Sequence, residues 1–311
     1  MKQCRVNYWE TYAPVVNWIS VRFLLVLSEL AGLESKTIDF VLAFPQAELD
    51  VPVYMELPIG MEVSGAEGDR RQHALCLKKS LYGLKQASAN WHSMLKTGLE
   101  LRAFKESVAD PCVFIKQSKE GDTHVTDLII NKSGTRTDRK GGTFISNNED
   151  ANSKAKETSI ARTDNIWIKN FIESSSDIIV LVYVDDCIIL SRDKKSIESF
   201  ITILTNGPEK FAFTDEGSMD KYLGVDIERL SNNSGFTMTQ PYLIERILEA
   251  ANIDLRMTNS RPTPAVGPLL NRDEEGPERK HDWKYRTLTG MLGYLQGTSR
   301  PDISMATHQC T

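Results

Sequence analysis

The sequence contains no run of about 18 apolar residues, so no transmembrane helix is expected. Its start, MKQCRVNYWETYAPVV, lacks the charged-then-apolar pattern of a secretory signal. Cysteine is sparse. Cys4, Cys76, Cys112, Cys187 and Cys310 form no C-x-x-C pair, which argues against a zinc site and suits a reducing compartment. The five histidines are as dispersed and read as structural or surface residues. Basic charge is not in excess: 37 Lys and Arg against 42 Asp and Glu leave a net charge of −5, where a nucleic-acid surface favours the opposite sign. Arg70-Arg71 and Lys78-Lys79 can still form a local basic patch, although such pairs are usually solvated surface. The expected setting is intracellular, in cytoplasm or nucleus, without a membrane.

The chain is long enough for one large domain or two to three subdomains. Its most informative segment is Ile178 to Leu190, IIVLVYVDDCIIL. Here Asp185 and Asp186 sit side by side within an apolar run. Burying an unpaired carboxylate is costly, and two adjacent ones each disfavour ionisation of the other. Two readings are open. The segment can be an ordinary hairpin with an acidic turn. Or it can be a strand–turn–strand offering two carboxylates to Mg²⁺, a hard ion that takes oxygen ligands. The second reading needs a third acid from elsewhere.

Apolar spacing predicts a helix over 15–31, and 36–44 (KTIDFVLAF) reads as a buried strand containing Asp39. Short strands are expected at 51–58, 74–79 and 110–116. A helix is expected over 88–101 with Ser88 as its N-cap. Residues 117–176 are rich in Ser, Thr, Asn, Asp, Lys and Gly and have the composition of disorder, so they read as an insertion with at most a short ordered piece near Ile166 to Ile172. Without them, DPCVFIK would turn directly into IIVLVYVDD as a hairpin. Beyond the acidic pair come an amphipathic helix at 194–204, strands at 221–230 and 235–239 around Asn-Asn-Ser-Gly, and a helix at 241–251 opened by Pro241. A Pro- and acid-rich linker follows at 262–277, then a last helix at 283–296 with two interior glycines.

Asp39 is the candidate third acid. Between it and Asp185 lies SLYGLKQASANW, residues 80–91, a glycine turn leading into a helix. The order acid-bearing strand, Gly-turn-helix, acidic hairpin is that of motifs A, B and C of a polymerase palm. The blocks YWETYAPVVNWISVRFLLVLS, TIDFVLAF, VYMELPIG, CLKKSLYGLKQASANW, ADPCVFIK, VLVYVDD, KYLGVDIER and YRTLTGMLGYLQGTSRPDI resemble, in order, those of a copia-type LTR-retrotransposon reverse transcriptase.

The resemblance implies an α+β fold: a right-hand polymerase palm (an antiparallel sheet with helices on one face), partial fingers and a helical thumb and connection. The implied division is 1–116 for partial fingers and the first part of the palm, 117–176 for the polar insertion, 177–239 for the palm with its catalytic hairpin and a primer-grip-like hairpin, and 240–311 for thumb and connection. It implies an RNA-directed DNA polymerase acting by two-metal nucleotidyl transfer, with Asp39, Asp185 and Asp186 as catalytic residues and ligands of two Mg²⁺ ions, for which Mn²⁺ can substitute. Phe44, Tyr82, Gly83 and Lys85 would line the nucleotide and template side, and Phe44 would exclude a ribose 2′-hydroxyl. Tyr183 would lie against the primer, alternation placing it on the face of Asp185. For Phe44 and Tyr82, plain packing is the competing reading. The implied partners are an RNA template, a DNA or tRNA primer and dNTPs, with integrase and ribonuclease H in a parent polyprotein.

Departures from the pattern carry their own expectations. Ser88 replaces the family's motif B proline, and residues 39–47 lack two polar residues and the closing glycine of D-V-K-T-A-F-L-N-G. A basic fingers segment normally precedes the first block, and the expectation is a truncated or decaying element, or a gene model that reads through an intron. The alternative reading is thus an inactive remnant with at most weak nucleic-acid binding. A third, an unrelated α/β protein with a merely acidic turn, expects Asp39 far from Asp185.

Overall fold

The computed structural model describes residues 11–61, 73–117, 177–207, 209–231, 235–254, 276 and 284–310. Nearly all of the 117–176 segment, with its Ile166–Ile172 piece, Arg70-Arg71, the Asn232–Ser234 turn and nearly all of the 262–277 linker lie outside them. The chain divides after Ser218 into two compact units. None of the described helices is long and apolar enough to cross a membrane.

In the first unit, Asn17 caps helix α1 (Trp18–Ala31): its side-chain oxygen accepts from the Ile19 N–H. The helix ends at Gly32, whose φ of 61° suits a residue without Cβ and lets the Leu33 N–H reach the Ser28 carbonyl. Strand β1 (Glu34–Phe40) follows. It stops four residues short of the expected end. Leu42 turns to a φ of 49°, and Ala43–Gln46 form a short helix, α2. Pro45 cannot donate to a ladder, and the Gln46 side chain locks the bend: Nε2 donates to the Val41 and Ala212 carbonyls, and Oε1 accepts from the Ala212 N–H.

Strands β2 (Glu48–Glu56) and β3 (Ala74–Lys79) pair as an antiparallel ribbon. Helix α3 (Ala87–Glu100) begins one residue before the expected start. Gln86, not Ser88, occupies the N-cap position and makes no side-chain cap bond. The tight turn at Gly83, with a φ of 91°, and the burial of Gln86 bring the chain into the helix early, leaving Ser88 inside it.

β4 (Lys105–Glu106), β5 (Val113–Lys116), β6 (Ile178–Tyr183), β7 (Asp186–Ser191) and β8 (Phe213–Gly217) join β1 in a six-stranded antiparallel sheet of order β4-β5-β6-β7-β1-β8. β5 starts later than expected because Asp110 closes a turn, its carboxylate accepting from the Cys112 N–H and its carbonyl from the Val113 N–H. β5 and β6 do pair antiparallel despite their distance in sequence. Sequence pattern gave no sign of β8, whose polar residues FTDEG form an edge strand against β1.

Helix α4 (Lys194–Asn206) is capped by Asp193, which accepts from the Lys195 and Ser196 N–H groups. Alternate residues of the sheet (Ile38 and Phe40; Val180 and Val182; Cys187 and Ile189) form one core with Trp91, Leu95 and Leu99 of α3 and Ile197, Phe200 and Leu204 of α4. The intervening Ile179, Leu181, Ile188 and Leu190 face the other way and are also buried. That explains why this segment is a continuous apolar run and not an alternating one.

The second unit has β9 (Lys221–Tyr222), β10 (Val225–Arg229) and β11 (Phe236–Thr239) in a three-stranded antiparallel sheet. Helix α5 (Pro241–Ala250) starts on a proline, and α6 (Tyr285–Thr298) forms despite Gly290 and Gly293. Ile247, Leu288 and Leu295 make its core. Buried Gln240 accepts from the hydroxyls of Thr298 and Ser299. A 3-10 turn (Pro301–Ile303) and α7 (Ser304–Gln309) follow.

Candidate functional site

Register brings the sequence's three acids to one end of the sheet. Asp39 pairs with Asp186 across β1 and β7, and Asp186 pairs with Tyr183 across β7 and β6. Directly paired residues share a face, so Asp39, Asp186 and Tyr183 project from the face opposite the core under α3 and α4. Asp185 occupies the two-residue turn with Val184. Its carbonyl accepts from the Phe40 N–H at 2.9 Å, fixing the turn to the residue that follows Asp39. The expectation of a distant Asp39 is thereby overturned. One inference about Tyr183 also changes: alternation ends at Val184, whose φ is 55°, so the face that Tyr183 shares is that of Asp186.

Val184 is β-branched, and positive φ is a strained conformation for such a residue. Two bonds hold the turn around it. The first is the Phe40–Asp185 bond. The second comes from Trp91 of α3, whose indole Nε1–H donates to the Val184 carbonyl at 2.6 Å. Trp91 is buried, its ring edge-on to Phe40 and Phe211.

Phe44, carried by α2, has its ring centroid 4.8 Å from that of Tyr82. Tyr82 is exposed, and its phenol is pushed above its ordinary value by desolvation, then by Asp185 and Asp39. The aromatic pair and the acids are therefore close enough to feel one another. Gly83 makes the turn below Tyr82, and Lys85 is exposed beside it.

The acids repel. Partial burial raises the Asp39 carboxyl, with Asp185 and Glu216 adding to it. Burial pushes Asp186 up to about 6, helped by Asp185, Asp39 and Glu216. Glu216 was not singled out in the sequence. It is the extra residue where the β1–β8 register shifts, Thr37 pairing with Gly217 and Ile38 with Asp215. Nothing in the polar run FTDEG signals a bulge. Gln46 and Trp91 were likewise missed as organisers of the site, because each acts through a backbone group remote in sequence.

The donor set is wholly hard oxygen, the chemistry that suits Mg²⁺ or Mn²⁺. A divalent cation would also relieve the repulsion that raises Asp39 and Asp186. As their side chains stand, no three His, Cys, Asp or Glu among the described residues are grouped to hold a metal ion.

Comparison with known proteins gives the site its context. Residues 1–136 and 150–266 match the family described as reverse transcriptase (RNA-dependent DNA polymerase). The chain is 28% identical over 310 residues to the retrovirus-related Pol polyprotein from transposon TNT 1-94 of Nicotiana tabacum, covering 97% of this chain and 18% of that protein. It is 26% identical over 307 residues to the retrovirus-related Pol polyprotein from transposon RE1 of Arabidopsis thaliana, covering 98% of this chain and 16% of that protein. The chain thus spans less than a fifth of the length of these relatives. No solved structure matches it. The family match spans most of the chain and includes Asp39, Asp185 and Asp186, and on that ground the chain belongs to the reverse transcriptase family, in the form carried by copia-type retrotransposon Pol polyproteins.

Proposed function

We propose that this chain is an RNA-directed DNA polymerase domain in which Asp39, Asp185 and Asp186 are the catalytic carboxylates. The observation that carries the reading is the register of Asp39 against Asp186 with Asp185 pinned in the adjoining turn. The six-stranded sheet with α3 and α4 takes the part of the palm. The β9–β11 sheet and α5–α7 take those of primer grip, thumb and connection, with partial fingers in the first 116 residues and the polar 117–176 segment as an insertion.

The three carboxylates would hold two Mg²⁺ ions, or Mn²⁺. Bound there, the metals supply activation of the primer 3′-hydroxyl and neutralise charge on the triphosphate and its leaving group. The chain's own residues do the rest. Asp39 and Asp186, on paired strands, and Asp185, on a pinned turn, offer their oxygens from held backbone. The Phe44 ring, braced by Tyr82, would exclude a ribose 2′-hydroxyl and so favour dNTPs. Gly83 and Lys85 border the nucleotide and template side, and Tyr183, sharing the face of Asp186, meets the primer end. The substrates are an RNA template, a DNA or tRNA primer and dNTPs, and the parent polyprotein carries integrase and ribonuclease H.

Primer extension on an RNA template in Mg²⁺ or Mn²⁺ tests this. Extension that Asp185→Asn abolishes supports it, and no extension in either metal removes the activity. One observation favours a second reading, a remnant that binds nucleic acid without turnover: the acids as they stand are not grouped for a metal. That reading expects salt-sensitive binding alone, and metal-dependent incorporation rules it out.

A further inference from the structure

The aromatic part of the core beneath the acidic turn is otherwise phenylalanine: Phe40, Phe104, Phe114, Phe200 and Phe211. Trp91 is the one tryptophan in that cluster. It is 2% exposed. Its ring does what a phenylalanine ring would do, meeting Phe40 edge-on at 5.1 Å and Phe211 at 6.0 Å. What phenylalanine could not supply is the indole N–H, and that group is spent on the Val184 carbonyl at 2.6 Å.

Val184 is where the turn stores its strain. Its φ of 55° lies in the left-handed region, which β-branched residues rarely adopt and which persists only where the surroundings over-determine it. Val184 precedes Asp185 directly, so relaxing it would swing the acidic pair away from Asp39. Trp91 also touches the other side of the site, because Phe40, on which its ring packs, follows Asp39 and donates to the Asp185 carbonyl. A single buried side chain thus contacts the residue that follows Asp39 and the one that precedes Asp185.

We infer that Trp91 is a positioning residue for the acidic turn: its indole N–H holds the strained Val184 carbonyl so that Asp185 and Asp186 stay opposite Asp39. This rests on the polymerase reading of those acids. Trp91 contacts no substrate. It acts through the backbone of Val184, as an outer partner orients a metal ligand without touching the ion.

The test compares Trp91→Phe with wild type and Asp185→Asn, measuring Mn²⁺ affinity by electron paramagnetic resonance of the free ion, alongside steady-state primer extension. Trp91→Phe is expected to weaken Mn²⁺ binding about tenfold, the usual scale for losing an outer partner. It should lower kcat by a similar factor while KM for dNTP stays within about twofold, because only the turn is disturbed. In a Val184→Gly background the same substitution should cost much less, since glycine adopts positive φ without restraint. A merely structural tryptophan would show equal cost in both backgrounds. If Trp91→Phe fails to fold, benzothienylalanine at position 91 keeps the fused ring and replaces only the N–H by sulfur. Unchanged Mn²⁺ affinity and kcat in either variant, with Asp185→Asn abolishing both, overturns the inference and leaves the polymerase reading standing. Wild type that binds Mn²⁺ no better than Asp185→Asn and extends no primer overturns both.

Discussion

The Phe40 N–H donates to the Asp185 carbonyl at 2.9 Å, so the residue that follows one acid holds the turn that presents the other two. The arrangement concentrates negative charge at one end of a sheet whose central strands β6 and β7 are otherwise mostly apolar. Its consequences for stability and chemistry can be separated by experiment.

The first consequence concerns pH. Asp186 is held at about 6 in the folded protein against an ordinary value of 3.8, by burial and then by Asp185, Asp39 and Glu216. A raised carboxyl binds its proton more tightly when folded. Its ionisation therefore destabilises the fold: the cost is absent below about pH 4, grows as pH rises towards 6, and is complete above it. Asp186→Asn should match wild type near pH 4 and be more stable at pH 7 in metal-free buffer. The gain should be about 1 kcal/mol once its half-exposed position is allowed for, or roughly 2–4 °C in Tm. Added Mg²⁺ should raise the Tm of wild type and narrow the gap. Calorimetry across this range decides; a difference that does not vary with pH would dismiss the repulsion as the cause.

A second prediction concerns the support beneath the sheet. Buried Arg102 donates to the carbonyls of Gly98, Ile203 and Glu209, closing the end of α4. Gly207 lies against it, and a Cβ there would run into Arg102 Nη2 and fall 2.8 Å from the Ile203 carbonyl. The φ of Gly207 is an ordinary −76°, so space and not dihedral freedom requires the glycine. Gly207→Ala should destabilise by about 1–3 kcal/mol through overpacking. Arg102→Met, which strips the carbonyls of their donor, should cost about 2 kcal/mol. The double variant should cost less than the sum, because the clash loses its partner. Urea midpoints measure all three, and strict additivity would show that the two residues do not meet.

Some of this was legible in the sequence. The run around Asp185 and Asp186 shows its burial directly, since both faces of β6 and β7 are covered and Ile178 to Val182 and Cys187 to Leu190 are all apolar. Asp39 stands out because it interrupts a similar run. β8 left no such mark: FTDEG is a strand only because β1 offers it a ladder, and a polar edge carries no apolar period. The sequence extends β1 too far because FVLAF after Asp39 is apolar throughout, whereas the break is set by Pro45 and by Gln46 reaching to Ala212. The Trp91–Val184 bond joins residues 93 positions apart and has no local signature. Recurrence of residue types reveals burial. Side-chain bonds to remote backbone, which fix the site's geometry, become visible only in three dimensions.

The last prediction concerns the choice of sugar. Phe44 sits on α2, not on a continuation of β1, and its ring leans on Tyr82 at 4.8 Å with Asp185 and Asp39 close to the tyrosine. A ring there can bar a 2′-hydroxyl only if its backbone is held. Gln46 does the holding, with bonds of 2.7 and 2.8 Å to the Val41 and Ala212 carbonyls and 2.9 Å from the Ala212 N–H. Phe44→Ala should reduce the ratio of kcat/KM for dNTP over NTP by at least about tenfold, chiefly by admitting the ribonucleotide. Gln46→Ala leaves the ring but frees its seat, so it should lower the ratio by a smaller factor and lower stability by about 1 kcal/mol. Tyr82→Phe keeps the ring contact and should leave the ratio intact, whereas Tyr82→Ala should not. Single-nucleotide incorporation with matched dNTP and NTP pairs reads each of these. If Phe44→Ala lowers Tm yet leaves the ratio unchanged, the ring is only core packing and the selection of sugar lies elsewhere.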